Sequence, residues 1–222
     1  MTGAAKKDTS TIQRNTVADQ VYADLRARIL SGEIQQGERI VEAALAKSLG
    51  ISRAPVREAV NRLTEAGLLE SRTHFSTTVL QMTPEKVRQL YAVRVAVETL
   101  AIREVVRRHR PEDIDLLKGL IKEMMARAKA KDVPGLVEAE LAFHEALWKM
   151  AANPYVDRVA GLLFDHMRLA LTVDNAGYSD LMDVAREHEP LLAAIVSGDP
   201  DKAAQALSTH IMTSLETFVP SA

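Results

Sequence analysis

From Val17 onward the chain sets apolar residues at helical spacing: Val17, Val21, Leu25 and Ile29 recur every fourth position, behind Thr16 as a candidate N-cap. Ser31-Gly32 ends that helix, and Gln36-Gly37 marks a turn. A second, short helix carries Ala44, Leu45 and Leu49 and closes at Gly50. Ser52 then caps a third, with Val56, Val60 and Leu63 on its buried face and Gly67 as its stop. Two β-prone stretches follow at 68–71 and 77–80, separated by a short polar turn. Three helices and a hairpin in about 65 residues predict a winged helix-turn-helix over residues 16–81.

The pattern then changes. Thr83-Pro84-Glu85 reads as an N-cap with proline at the first helical position. Six helices are predicted over about 84–109, 111–131, 133–150, 154–174, 179–197 and 200–218. Asp132, Asn153, Ser179 and Asp199 fall at cap positions, Gly198 just past a helix end, and no strand signal appears after Leu80. The predicted fold is therefore mainly α, with an all-helical bundle over 82–222 behind the winged module. Residues 1–15 are small and polar without an apolar period and read as a disordered tail.

Composition narrows the function classes. With no cysteine there is no disulfide framework, cysteine zinc site or thiol nucleophile. No apolar run approaches the roughly 18–20 residues of a membrane span, and no signal-peptide pattern opens the chain, so a soluble cytoplasmic protein is expected. The net charge of −2 is unevenly spread: residues 1–83 carry +2 and residues 84–222 carry −4.

The third helix carries the first chemistry. Arg53 and Arg57 stand four apart and so share one face, while Val56, Val60 and Leu63 hold the other. An arginine fork can bind guanine O6 and N7 together, and Ser52 with the free amides of the helix start can hold a phosphate. Pairing of the two arginines with Glu58 or Glu65 on a plain surface helix is the competing reading. The whole string Gly50-Ile-Ser-Arg-Ala-Pro-Val-Arg-Glu-Ala59 is more specific. It resembles the helix-turn-helix signature of the GntR family of bacterial transcription regulators, over about residues 16–80. The resemblance implies that Arg53 and Arg57 contact double-stranded operator DNA, with Ser52 assisting and Arg39 and Arg72 as weaker carry-overs. It also implies a homodimer on an inverted repeat. The wing departs from the family: Arg72-Thr-His-Phe-Ser-Thr77 lacks a glycine-rich tip, and His74 reads as a polar loop residue.

The helical part carries the second. Its third helix has a stripe of Val133, Val137, Glu140, His144 and Leu147; its fifth has Leu181, Ala185, His188, Leu192 and Ile195; its sixth has Ala203, Leu207, His210, Ser214 and Phe218. One carboxylate and three imidazoles thus sit on stripes that should be apolar, and an unpartnered buried carboxylate is costly. A shared divalent cation resolves all four. An ion pair explains Glu140 with His144 alone, and each histidine alone can be a satisfied core residue. Three nitrogens and one oxygen favour Zn, Ni, Co or Mn over Ca or Mg. His109 and His166 read as structural or exposed.

Six helices behind such a reader resemble the effector domain of the fatty-acid-regulator branch in its VanR-like form. Many members there bind metal through an acidic residue and a histidine four apart, then two later histidines. Glu140, His144, His188 and His210 match those positions, with glutamate where aspartate is usual. Arg94, in Tyr91-Ala-Val-Arg94-Val-Ala-Val-Glu98, matches a position that lines the effector pocket. A salt bridge to Glu98 one turn on accounts for it equally. The resemblance implies a small effector, an organic acid, bound beside the metal.

Two other classes compete. A histidine-rich site with open coordination positions suits a metal-dependent hydrolase. However, His144-Glu145-Ala-Leu-Trp148 has tryptophan where a zinc-protease helix needs its second histidine, and no phosphate loop or nucleophile elbow is present. No enzyme is expected. A metal-free helical interaction module is the third class, separated from the first by metal analysis.

Overall fold

The computed structural model describes residues 16–72 and 76–218; the expected tail and the wing tip with His74 lie outside them. The first helix, α1 (Val17–Leu30), starts in a capping box: Thr16 Oγ1 accepts from the Asp19 amide at 3.1 Å, and Asp19 Oδ2 accepts from the Thr16 amide at 2.8 Å. Its buried stripe is Ala18, Val21, Leu25 and Ile29; Val17, expected on that stripe, is 48% exposed, and Ala18 takes the inward position of the first turn instead. After the two-residue strand β1 (Arg39–Ile40), α2 (Glu42–Leu49) packs through Ala46 and ends at Gly50, whose φ of 66° a side chain rarely adopts. Leu49, in its last turn, is exposed. The third helix, α3 (Arg53–Glu65), buries Val56, Ala59, Val60 and Leu63.

The wing is a three-stranded antiparallel sheet, ordered β1-β3-β2, with β2 (Leu69–Arg72) and β3 (Ser76–Val79) in the expected hairpin. The first strand is additional: two residues are too few to show a period, and it forms by pairing Arg39 with Thr78 and Ile40 with Thr77.

The C-terminal bundle comprises α4 (Pro84–Arg108), α5 (Pro111–Lys129), α6 (Val133–Met150), α7 (Pro154–Gly177), α8 (Leu181–Arg186), α9 (His188–Val196) and α10 (Pro200–Phe218). Proline in the first turn starts α4 to α7, where the missing N–H costs nothing. Two expectations change. The fifth expected helix is two, jointed at Glu187, because Pro190 has no N–H for the Arg186 carbonyl; its cap is Asp180, not Ser179. And α7 does not stop at residue 174 but runs to Gly177, which makes Asp174 and Asn175 helical and buried. Helix α4 packs against α6, α7 and α10, and α7 against α6 and α10, with α9 closing on α4, α5 and α10.

The long helix α7 also touches the winged module. Gln36 Nε2 donates to the Leu169 carbonyl at 3.1 Å while its Oε1 accepts from the Met82 amide at 2.9 Å. Gly67, at φ +74°, lies so close to His166 that a Cβ there would stand 2.7 Å from the imidazole Nε2. His166, expected to be exposed or structural, is therefore part of this junction.

Candidate metal and effector site, with the DNA-reading helix

Ser52 opens α3 in extended conformation, at φ −70° and ψ 160°, with no hydrogen bond from its side chain to the helix. Arg53 and Arg57 follow on the exposed face. Neither is hydrogen-bonded or ion-paired among the described residues, so the pairing with Glu58 or Glu65 is not formed. Arg62, one turn and a half further on, is committed instead: it donates to Asp19 at 2.7 Å and lies 4.4 Å from the Tyr22 ring centroid. Arg39 is exposed on β1 and Arg72 ends β2, flanking the wing.

In the bundle, Glu140 and His144 come from α6, His188 from the first turn of α9 and His210 from α10. One ligand atom from each lies within 4.8 Å of all the others. All four are buried, His144 and His188 completely. Around a cation with bonds of about 2.1 Å, donors stand about 3.4 Å apart in a tetrahedron and about 4.2 Å apart when opposed, so loading the site draws the four side chains inward.

The hydrogen bonds behind the ligands decide which atoms face inward. His188 Nδ1 donates to the Val184 carbonyl at 2.7 Å, leaving the Nε2 lone pair buried with no partner. His210 Nδ1 is likewise buried and unpartnered. His144 Nδ1 donates to Glu98 Oε2 at 2.7 Å, so its Nε2 keeps the lone pair. A ring nitrogen held from behind by a carboxylate or carbonyl is the arrangement that orients metal-binding imidazoles. Glu140 Oε2 accepts from Asn175 Nδ2 at 2.9 Å.

Electrostatics point the same way. Burial pushes the Glu140 carboxyl up, against the pull of Asn175, His144 and Arg94. Burial, then the neighbouring His144, brings His188 down to about 3, and burial with both other imidazoles holds His210 well below its ordinary value. Burial thus disfavours the charged form of carboxyl and imidazole alike, so the imidazoles stay neutral, the form in which they ligate a metal. The donor set and its orphaned lone pairs fit a divalent transition metal.

Arg94 is 2% exposed and pairs with Glu98 through Nε at 2.9 Å, while its Nη2 lies 3.4 Å from His144 Nε2. The alternative salt bridge is thus formed, yet at the rim of the cluster. Burial works against the Glu98 charge, but Arg94 and His144 outweigh it and hold the carboxyl down to about 2. Sequence reasoning assigned Glu98 only to Arg94. It missed Asn175, Asp174 and the Tyr91 phenol, all buried around the same cluster. His109 caps the end of α4, away from these groups.

A winged helix-turn-helix joined to a helical bundle with a buried carboxylate–imidazole cluster is the architecture of a DNA-binding regulator. The chain belongs to the gntR family of bacterial regulatory proteins, which it matches over residues 17–79, and carries an FCD domain over residues 89–213, the C-terminal domain of the FadR subfamily. It is 30% identical to a probable D-xylose utilization operon transcriptional repressor of Paenarthrobacter nicotinovorans, over 90% of this chain and 88% of that one. It is 25% identical to a gluconate operon transcriptional repressor of Bacillus licheniformis, over 86% and 80%. Among solved structures, a GntR regulator from Rhodococcus sp. RHA1 shares the fold at a TM-score of 0.75, with 22% identity over 92% of this chain and 98% of that one. E. coli McbR/YncC does so at 0.71, with 22% identity over 89% and 94%. The protein is a transcription regulator and not an enzyme. No described helix is long and apolar enough to cross a membrane.

Proposed function

We propose that this chain binds an operator as a homodimer and that its affinity is set by a small carboxylate-bearing metabolite held beside a divalent transition metal. Glu140, His144, His188 and His210 hold the metal, Zn, Ni, Co or Mn, and Arg94 helps to receive the carboxylate. When bound, such a metal supplies open coordination positions that accept an acid's oxygens. Charge supports a single carboxylate: Arg94 and Glu98 cancel, and Glu140 beside a divalent ion leaves one positive charge to neutralise. Arg53 and Arg57 read base edges, Ser52 holds a phosphate, and Arg39 and Arg72 flank the wing against the backbone. One such helix covers too little surface for tight binding, which favours two copies on an inverted repeat. Exposed Val93 and Leu100 on α4 offer apolar surface for the bundle's share of that dimer.

The observation that carries this reading is the convergence of one carboxylate and three buried imidazoles, with two orphaned nitrogens, on one point. The test is metal analysis of untagged protein purified without chelator, followed by thermal melting with each metal. One equivalent of metal and a raised melting temperature, both lost in His188→Ala, are expected. Absence of metal together with no thermal response would reduce the cluster to a buried polar network.

A further inference from the structure

Beside the cluster, two helices present buried polar atoms that nothing among the described residues satisfies. Both carboxylate oxygens of Asp174 and the amide oxygen of Asn175, on α7, have no hydrogen-bond partner, nor does the Tyr91 hydroxyl on α4. Asp174 and Asn175 are each 1% exposed and Tyr91 is fully buried. The amide nitrogen of Asn175 is committed to Glu140, so it is the oxygen that is left over. Three of the four orphan atoms therefore ask for a donor. Cores avoid such groups, since each forfeits its bonds to water.

The charges around Asp174 say which kind of donor. Burial pushes its carboxyl up to about 8; Glu140 and Glu187 push the same way and only Arg94 opposes them. The field here is negative, whereas Arg94 and, once the cluster is loaded, its metal would form a positive end. Arg94 itself lies against the Tyr91 ring, 4.9 Å from its centroid, so the two ends share a wall. In the empty protein near neutral pH the Asp174 carboxyl therefore mostly keeps its proton, and a hydroxyl or a water brings no charge that could take that proton's place. An ammonium group has three donors, no acceptor and the matching charge.

We propose that the effector is a zwitterion, an amino-substituted carboxylic acid whose ammonium group is received by Asp174, Asn175 Oδ1 and Tyr91 while its carboxylate is taken at the Arg94 and metal end. This rests on reading the cluster as the effector pocket. Asp174 then sets specificity: a plain acid leaves it unpaired, and an amino acid neutralises it. Sites whose buried polar groups lose a partner reject the deficient analogue strongly.

The test is calorimetric titration of zinc-loaded protein with matched four-carbon acids: butyrate, 2-hydroxybutyrate, 2-aminobutyrate and 4-aminobutyrate. One amino congener should bind at least tenfold tighter than butyrate and 2-hydroxybutyrate. Asp174→Asn keeps the shape and removes the group that can ionise against an ammonium, so it should fold and should collapse that preference to less than threefold. If butyrate or 2-hydroxybutyrate binds as well as both amino acids, or if Asp174→Asn keeps the preference, the zwitterion proposal fails while the effector pocket stands. If none of the four binds zinc-loaded protein, the pocket reading falls and takes this proposal with it.

Discussion

Arg26 of α1 grips Asp165 of α7 through two parallel hydrogen bonds, Nε to Oδ2 at 2.6 Å and Nη2 to Oδ1 at 2.5 Å. Nine residues further along α7, Asp174 and Asn175 stand at the carboxylate–imidazole cluster, so one continuous helix touches both the DNA-reading module and that cluster. A ligand that shifts α7 against α4 and α6 therefore moves the anchor of α1 as well. Coupling of this kind needs an element with two placements that both sites bias.

Hydrogen exchange tests that coupling with metal alone as the probe. Zinc loading should raise amide protection in α1 as well as in α6, α9 and α10. In Asp165→Asn the protection of the bundle helices should persist and that of α1 should not. The pair is partly exposed, so its loss should cost at most about 1 kcal/mol of global stability, which keeps the variant folded. Undiminished protection of α1 in the variant would remove Arg26–Asp165 from the path.

Replacing Arg53 or Arg57 by alanine should weaken binding to the specific operator by about 1–3 kcal/mol and flatten base preference at one position in each half-site. Random duplex should lose much less. Equal losses on both duplexes, in mobility shift at fixed salt, would make the two arginines phosphate anchors. Because neither has a partner among the described residues, neither substitution strips a partner from a described side chain, and the melting temperature should stay unchanged.

Acid sensitivity of the reader can be read at Asp19. The Thr16 amide, then Arg62 and the Thr16 hydroxyl, hold its carboxyl down to about 2 from an ordinary 3.8. A folded pKa below the unfolded one means stability that is present above about pH 4 and lost as pH falls through 2. The difference in urea-denaturation free energy between wild type and Asp19→Asn should therefore shrink steadily from pH 5 to pH 2. A constant difference would show that Asp19 acts as a helix cap without its charge.

How far the sequence foretold this molecule depended on the kind of signal. Glu140, His144, His188 and His210 were legible because each interrupts an apolar helical stripe, and Arg53 and Arg57 because the turn before them is fixed by Gly50 and Ser52. Arg39 and Ile40 carried no period, so β1 was not foreseen. Pro190 did signal the joint at Glu187, but the apolar stripe from Leu181 to Ile195 continued through it and hid the break. Asp174 and Asn175 looked like the polar end of a helix, and only the three further residues of α7 bring them inside. Tyr91 was indistinguishable from any aromatic core residue, since its pattern shows the ring and not the hydroxyl.

The last prediction concerns Glu98, whose carboxylate is divided between two tasks: Oε1 accepts from Arg94 and Oε2 from His144. If it orients and enriches the His144 ligand, Glu98→Gln should weaken metal binding by about 10–100-fold, the usual effect of losing such a partner. The same substitution strips Arg94 of its counter-charge, and breaking a buried pair from one side costs about 3–5 kcal/mol. Melting of the metal-free protein will therefore fall, and a fall in metal affinity alone is ambiguous. The double variant Glu98→Gln/Arg94→Met removes the stranded charge and should restore most of the metal-free stability. Metal affinity should stay low in it, because His144 still lacks its carboxylate. Recovery of both quantities together would show that Glu98 serves Arg94 only and that His144 needs no partner behind it.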